Sequence, residues 1–448
     1  MAPKIKRGYM TKDEVMRAVE KNNIDIIRLW FPDILGHMKG FAFPRSELEG
    51  ALDDGMGFDG SSIEGFARIH ESDLMAVPDP DTFMILPEQI DNSRAAVMFC
   101  DLLTTDGKPY IGDPRGALKR NLAKIAKQKM LYNVGPEVEF FYFKSVEAPV
   151  TLDHSGYFDS SIIDMGASLR KQSVAALTKM GIQCEFSHHE VAPSQHEIDL
   201  RYDNALRMAD VVMTYRLVIK EIARKNGVYA SFMPKPLFGQ NGSGMHTHQS
   251  IFRDGKNLFF SSKDPYHLSD FAKHYIAGIL THVREITSIL NQSVNSYKRL
   301  VVGYEAPVYI SWGQKNRSAL VRVPRYRQGH EKATRIELRS PDPITNPYLA
   351  FSVMLAAGMK GVEEQYPLPD PVEENIYEMT PGRRVDMHMG MLPGSLYEAV
   401  LETEKSELVR EALGEHLFNK FIENKKIEWE QYQIQVTNYE LERYYPIF

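Results

Sequence analysis

Gly135-Pro-Glu-Val-Glu-Phe-Phe-Tyr-Phe143 decides how this chain is read. The run after Pro136 is β-branched and aromatic, which predicts a strand. Alternate residues of a strand share a face. Glu137 and Glu139 therefore point one way, roughly 6.6 Å apart along the strand, and Val138, Phe140 and Tyr142 point the other. Two carboxylates side by side repel unless a cation sits between them. Taken alone, the pair reads first as a solvated strand face, since glutamate is usually exposed.

The flanking sequence sets this strand in a mixed fold. Thr11-Lys-Asp-Glu14 is a capping box and opens a helix to about Asn22. Short β-like runs follow over 24–31 and 38–43, split by a turn at Gly36. A helix over roughly 46–53 leads into Gly55-Met-Gly-Phe-Asp-Gly60, and further β-like runs cover 82–86 and 95–102. Thr104-Thr-Asp-Gly-Lys-Pro109 is turn-rich and marks a boundary. The expected domains are therefore 1–107 and 108–448. Beyond the boundary, Asp113-Pro114 supplies an N-cap and a first-position proline. Helices are expected over 114–129, 160–180, 203–226, 268–291 and 346–363, with a mainly helical tail over 395–443. Strands and helices without regular βαβ alternation predict the α+β class.

Three further segments carry chemistry. His188-His-Glu-Val-Ala-Pro-Ser-Gln-His-Glu197 places three histidines and two glutamates in ten residues. Pro193 argues against a regular helix there, and the spacing is not that of a His-Glu-x-x-His zinc helix. Glu190 and Glu197 are candidate oxygen ligands from a loop. In Asn241-Gly-Ser-Gly-Met-His-Thr-His-Gln-Ser250, glycines allow close backbone approach, and His246, His248 and Ser250 alternate onto one face. In Thr334-Arg-Ile-Glu-Leu-Arg-Ser-Pro-Asp-Pro343, Arg335, Glu337 and Arg339 share a face opposite Ile336 and Leu338. Arg299, Arg317, Arg322, Arg325 and Arg327 lie nearby, and guanidinium forks match carboxylate and phosphate oxygens. Hard carboxylate oxygens favour Mg²⁺ or Mn²⁺ over zinc. Such ions beside arginines suit phosphate chemistry.

Composition narrows the classes. The chain has 448 residues and a net charge of −6, which argues against a nucleic-acid binder working by bulk positive charge. Two cysteines make neither a disulfide framework nor a zinc cluster, and fit a reducing cytoplasm. Neither a signal peptide nor a membrane-spanning run is present in the sequence, so no membrane role is expected. Gly55-x-Gly-x-x-Gly60 matches the dinucleotide fingerprint literally. It follows a polar helix instead of a strand, so a Rossmann site is rejected. The chain has no Walker A sequence either, so any ATP is held by another route.

Together the segments resemble glutamine synthetase of the bacterial and archaeal type I class over nearly the whole chain. The likeness rests on Phe58-Asp-Gly-Ser-Ser62, Gly135-Pro-Glu-Val-Glu139, Asn241-Gly-Ser-Gly-Met-His246, Arg299-Leu-Val-Val-Gly-Tyr-Glu-Ala-Pro307, Asn316-Arg-Ser318 and Arg335-Ile-Glu-Leu-Arg-Ser-Pro-Asp-Pro343. Val302 departs from the proline many members carry. The resemblance implies an N-terminal β-grasp domain and a larger catalytic domain with a curved, mainly antiparallel sheet flanked by helices. It implies a homo-dodecamer of two stacked six-membered rings, with the tail ending Tyr444-Tyr-Pro-Ile-Phe448 clasping the opposite ring.

Residue roles follow from the same resemblance. One metal is expected on Glu139, Glu190 and Glu197, the other on Glu137, His246 and Glu337, giving two or more Mg²⁺ or Mn²⁺ ions per site. Glu185, His248, Ser250, Arg317, Arg322 and Arg335 are expected ATP contacts. Asn241, Gly242, Arg299, Glu305 and Arg339 are expected glutamate contacts. Arg317 would steady the transferring phosphate, Asp59 would take the proton of ammonium, and Glu305 would ride on a flap, Gly303-Tyr-Glu-Ala-Pro307. The substrates would be glutamate, ammonium and ATP. Ser61-Ser-Ile-Glu-Gly-Phe-Ala-Arg68 resembles the non-adenylylated, alpha-like subgroup and makes Arg68 a regulatory candidate. Tyr377 falls where other members are adenylylated, but its context differs. A small regulatory protein is a further expected partner. Two rivals stay open: a same-fold ligase joining glutamate to a polyamine or other amine, and a catalytically inactive structural or sensory paralogue.

Overall fold

Thr11 and Glu14 cap one another's backbone at the start of helix Lys12–Lys21, as the capping box requires. Val15 and Val19 on its buried face pack with Ile27, Leu29 and Met98 of the sheet beneath. The computed structural model describes residues 10–63, 65, 73–88, 90–327, 329–387 and 389–448. Among these, the N-terminal sheet runs in the order 38–44, 26–32, 95–104, 73–78, 56–59, with 84–85 also paired to 95–104. Ile26–Pro32 and Ala95–Thr104 are parallel, and the rest of this sheet is antiparallel. Part of its second face is covered by the larger domain. Trp30, Val97 and Phe99 join the apolar core of the larger domain.

A buried charge cluster binds the same interface. Arg115, 1% exposed, meets Asp79 just beyond strand Asp73–Pro78, Asp101 of the first sheet and Asp210 of the larger domain at 2.7, 2.5 and 3.1 Å. It sits on helix Pro114–Ala126, which starts with Asp113 as N-cap and Pro114 at the first position.

The larger domain is built on the strand Met130–Phe143. Val138, Phe140 and Tyr142 enter its main core, while Phe141 and Phe143 form a small cluster with Ala192 on the opposite face. Around it runs a curved, mainly antiparallel sheet in the order 312–313, 321–322, 336–338, 245–253, 130–143, 195–200, 184–189. Helices Ala205–Lys225, Asp270–Leu290 and Pro347–Glu363 cover the apolar side. Each begins on a side-chain cap, from Asn204, Ser269 and Asn346. The tail forms helices Leu396–Glu404, Glu407–Leu413, Glu415–Gln433 and Asn438–Tyr444. No helix among the described residues is long and apolar enough to cross a membrane.

Three expectations need correction. The helix expected over 160–180 spans only Ala167–Lys179. Ahead of it, Asp159 and Ser161 accept from the backbone N–H groups of Ser161 and Ile163, and such local bonds compete with the helix. Strands Met56–Asp59 and Asp73–Pro78 were not expected from the sequence. The first runs through the glycine-rich stretch, after Gly55 ends the preceding helix at φ +76°. Last, Glu197 lies on strand Gln195–Leu200 and not on a loop; Pro193 sits in a hairpin turn between two strands.

Candidate active site

Strand register assembles the site. On one side of the central strand His246 lies opposite Glu137, and on the other Glu197 lies opposite Glu139. Glu337 lies opposite both His248 and Arg322, and His188 lies opposite Glu197. Because alternate residues share a face, these pairings bring the polar residues of six strands to one concave side. All of them but His248 line a cavity of about 280 Å³, which also takes in Asn241, Gly242, Arg299, Glu305, Arg317 and Arg339.

Three overlapping groups of donors stand out in this cavity. Glu137, His246 and Glu337 each offer a ligand atom within 4.8 Å of the others. Beside them, His188, Glu190 and Glu197 do the same, as do Glu137, Glu197 and Asp199. The expected trio of Glu139, Glu190 and Glu197 lines this cavity, and His188 stands with Glu190 and Glu197, its Nε2 2.6 Å from Glu190. Glu139 instead accepts hydrogen bonds from Gln195 Nε2 and the Gly244 N–H, both at 2.9 Å.

The electrostatics divide the acids. Burial and the charge of Glu190 push the Glu139 carboxyl up to about 8. Burial and the charges of Glu137, Asp199 and Glu139 push Glu197 well above the carboxylate range, and burial raises Asp199 to about 6. Burial also acts on Glu137, yet His248 and His246 hold it well below its ordinary value. Glu337 is likewise lowered, because Arg339 and both imidazoles outweigh its burial. Carboxyls crowded enough to resist ionising together suit cations placed among them. The donors are carboxylate oxygens and imidazole nitrogens with no thiolate, a set that fits hard divalent ions.

The arginines have distinct surroundings. Arg322 and Arg339 pair with Glu337 at 2.7 and 3.2 Å. Arg299, 2% exposed, donates to the carbonyls of Ser340, Pro341 and Arg339 at 2.7, 3.2 and 3.0 Å. It therefore anchors the 339–341 segment as well as lining the cavity. Asn241 donates to Glu305 Oε2 at 3.2 Å.

Five expected residues do not line the cavity of this chain: Asp59, Glu185, His248, Ser250 and Arg335. His248 stands just behind, with Nε2 2.7 Å from Glu137, and Arg335 Nε lies 3.1 Å from its other ring nitrogen. Ser250 is buried further along the same strand. Glu185 is exposed and pairs with Arg201 at 3.4 Å. Asp59 ends the edge strand of the N-terminal sheet and accepts from the Ser61 N–H at 2.9 Å. Arg68 lies outside the described residues.

Tyr157, His188, Gln195 and Asp199 are among the lining residues that carried no role in the sequence reading. Asp199 was legible, since Glu197-Ile-Asp199 repeats the alternation of Glu137-Val-Glu139. Tyr157 had no such signal. It comes from an irregular loop that Asp153 anchors by accepting from the N–H groups of Met165 and Ser194.

Comparison with known proteins agrees with this layout. Residues 23–105 match the family model described as glutamine synthetase, β-grasp domain, and residues 111–444 that described as glutamine synthetase, catalytic domain. The chain is 51% identical to a glutamine synthetase of Mycolicibacterium smegmatis, over 97% of this chain and 98% of the relative. It is 48% identical to one of Methanosarcina mazei, over 97% of each. A solved structure titled "GmaS/ADP complex" superposes with a TM-score of 0.88 at 28% identity, covering 96% of this chain and 99% of that one.

Proposed function

Since this chain belongs to the glutamine synthetase family along both of its domains, we propose that its cavity joins ammonia to the γ-carboxyl of L-glutamate at the expense of ATP. The enzyme is a glutamate–ammonia ligase, and its products are L-glutamine, ADP and phosphate. The observation that carries this reading is the joining, in one cavity, of two divalent-cation donor groups, three buried or half-buried arginines and the carboxylate of Glu305.

The chemistry requires such a set. A carboxylate is a poor acyl donor, because oxide would have to leave. Transfer of the ATP γ-phosphoryl group to that oxygen creates γ-glutamyl phosphate, from which phosphate leaves readily. Divalent ions, Mg²⁺ or Mn²⁺ in this reading, would neutralise phosphate charge during transfer. Glu137, His246 and Glu337 would hold one, and Glu139, Glu190 and Glu197 the other, with His188 and Asp199 beside them. Arg317, Arg322 and Arg339 face the charge that gathers on the transferring group and the substrate carboxylates. Asn241, Gly242, Arg299 and Arg339 orient glutamate; Glu185, His248, Ser250, Arg322 and Arg335 shape the ATP end.

Ammonium must lose a proton before it attacks. Asp59 is the proposed acceptor. It does not line its own chain's cavity, so in this reading it enters the cavity of a neighbouring chain. That arrangement supports a ring assembly, here a homo-dodecamer of two stacked hexamers. Exposed apolar side chains on the tail, including Ile447 at 71% and Phe448 at 97%, support its role as a clasp between rings. The proposed subgroup is the non-adenylylated one of type I, regulated by small molecules through Arg68 or by a small protein partner, and the proposed location is the cytoplasm.

The anionic Glu305 favours a small cation over a bulky amine as the second substrate. The test offers glutamate and ATP with ammonium or with putrescine and measures each amide. Glutamine alone is expected. A γ-glutamyl-putrescine product formed faster than glutamine would replace this reading with that of an amine ligase.

A further inference from the structure

Three consecutive residues of the segment bearing Glu305 are each held by a different side chain. Tyr304 lies under Lys235, whose Nζ is 3.6 Å from the ring centroid. Glu305 accepts from Asn241 at 3.2 Å, and the Ala306 carbonyl accepts from the Tyr377 hydroxyl at 2.6 Å. Lys235 and Asn241 belong to one loop, between strands Tyr229–Ser231 and Met245–Arg253, while Tyr377 lies far along the chain, and neither Lys235 nor Tyr377 lines the cavity.

The segment needs such support. Gly303 has φ +97° and Glu305 φ +56°. The second is a left-handed conformation that a residue with a side chain adopts at a cost and keeps only when its surroundings impose it. The anchors are themselves fixed. The Lys235 N–H donates to Asn295 Oδ1 at 2.8 Å, and Asn295 Nδ2 donates back to the Lys235 carbonyl at 3.1 Å. Its ammonium also donates to the Gln240 carbonyl, so the cation is oriented before it meets the ring. At the other end, Val308 and Tyr309, just beyond Ala306, pack with Val372, Ile376 and Met379 in an apolar cluster against which Tyr377 rests. The strap thus has a rigid root on one side and a cation–π contact on the other.

We infer that Lys235 and Tyr377 are positioning residues that clasp the 303–306 strap over the cavity, and that their part in the reaction is to keep water from γ-glutamyl phosphate. The inference rests on the ligase reading above. If the clasp fails, water attacks the acyl carbon, the bond from that carbon to the phosphate-bearing oxygen breaks, and glutamate and phosphate are released. The net reaction is then ATP hydrolysis without amide formation. The loss therefore appears in the ratio of phosphate to glutamine and not only in the rate.

The experiment measures phosphate and glutamine in the same reaction with saturating glutamate, ATP and ammonium, using the assembled full-length enzyme. The wild-type ratio is one. Lys235→Met removes the cation but keeps most of the stem, and Tyr377→Phe removes only the hydroxyl. Both are expected to raise the ratio by roughly two- to fivefold, the scale of one cation–π contact or hydrogen bond. Lys235→Arg and Tyr304→Phe keep a cation and a ring, and their ratio should stay near one. A ratio of one in Lys235→Met or in Tyr377→Phe, whatever its rate, removes that residue from the clasp. A raised ratio in Tyr304→Phe would remove the cation–π contact. Wild-type glutamine formation, read in the same tubes, tests the ligase reading separately.

Discussion

Replacing Glu337 by Ala should abolish turnover by emptying the cation site it shares with Glu137 and His246. The Glu337 side chain is 1% exposed, with Arg322 at 2.7 Å, Arg339 at 3.2 Å and His246 at 3.8 Å. Its removal takes away one ligand and leaves two guanidinium groups without their shared anion, facing the site of a divalent ion. Loss of an outer-shell partner alone weakens metal binding by about 10- to 100-fold. Loss of a direct ligand should exceed that range, so the expected fall is more than about 100-fold, or at least about 2.7 kcal/mol. Titration with Mn²⁺ followed by calorimetry reads the affinity directly, and phosphate release over a range of Mg²⁺ reads the consequence. Because the Arg–Glu cluster is buried, the Ala variant also risks lower stability, at about 3–5 kcal/mol for breaking such a cluster. Glu337→Gln, which preserves shape, provides a folded control with the same loss of charge. Unchanged Mn²⁺ affinity in a folded Gln or Ala variant, or full activity in either, would refute the assignment.

Other perturbations probe the frame around the site. Asp113 is the buried N-cap of helix Pro114–Ala126, and burial, with Asp101 nearby, raises its carboxyl to about 6. A carboxyl raised in the folded state costs stability as pH climbs from about 4 through 6, so the cost is full above pH 6 and gone below about 4. Asp113→Asn keeps the cap and should raise the melting temperature at pH 8, by up to about 3 kcal/mol of stability, with the gain shrinking at pH 4.5; an equal gain at both pH values would contradict this. Arg299→Lys cannot span the three carbonyls that the guanidinium serves. It should lower the melting temperature and raise KM for glutamate, and a fall in melting temperature with an unchanged KM would make Arg299 an anchor only. Deleting 434–448 removes Ile434, Val436 and Tyr445, exposed by 74%, 69% and 83%. Particle mass should fall to that of single hexameric rings, and intact double rings would show that the tail does not hold them.

Much of the site could be read from alternation. Glu137-Val-Glu139 and Arg335-Ile-Glu337-Leu-Arg339 place their polar residues on one face and their apolar ones in the core, as period two dictates. The same rule, applied to Glu197-Ile-Asp199, would have found Asp199. It was missed because Pro193 drew the whole segment into a loop reading. The meeting of these strands was not legible from local pattern. It depends on pairings such as Glu139 with Glu197 and His248 with Glu337, between residues 58 and 89 positions apart in the chain. Nor could local sequence place Tyr157, which reaches the cavity because Asp153 and Ser194 fold an irregular loop over it. The helices were legible at their caps. The overextended one failed where Asp159 and Ser161 turn the backbone before the helix can begin.

Activation of the γ-carboxyl of glutamate by phosphorylation leaves an isotopic trace. The most direct measurement supplies glutamate labelled with ¹⁸O in both γ-carboxyl oxygens, together with ATP and ammonium, and determines the isotope content of the phosphate released. Attack of ammonia on γ-glutamyl phosphate expels the oxygen that carried the phosphoryl group, so one ¹⁸O is expected in the phosphate for each glutamine formed. Unlabelled phosphate accompanying glutamine would contradict it.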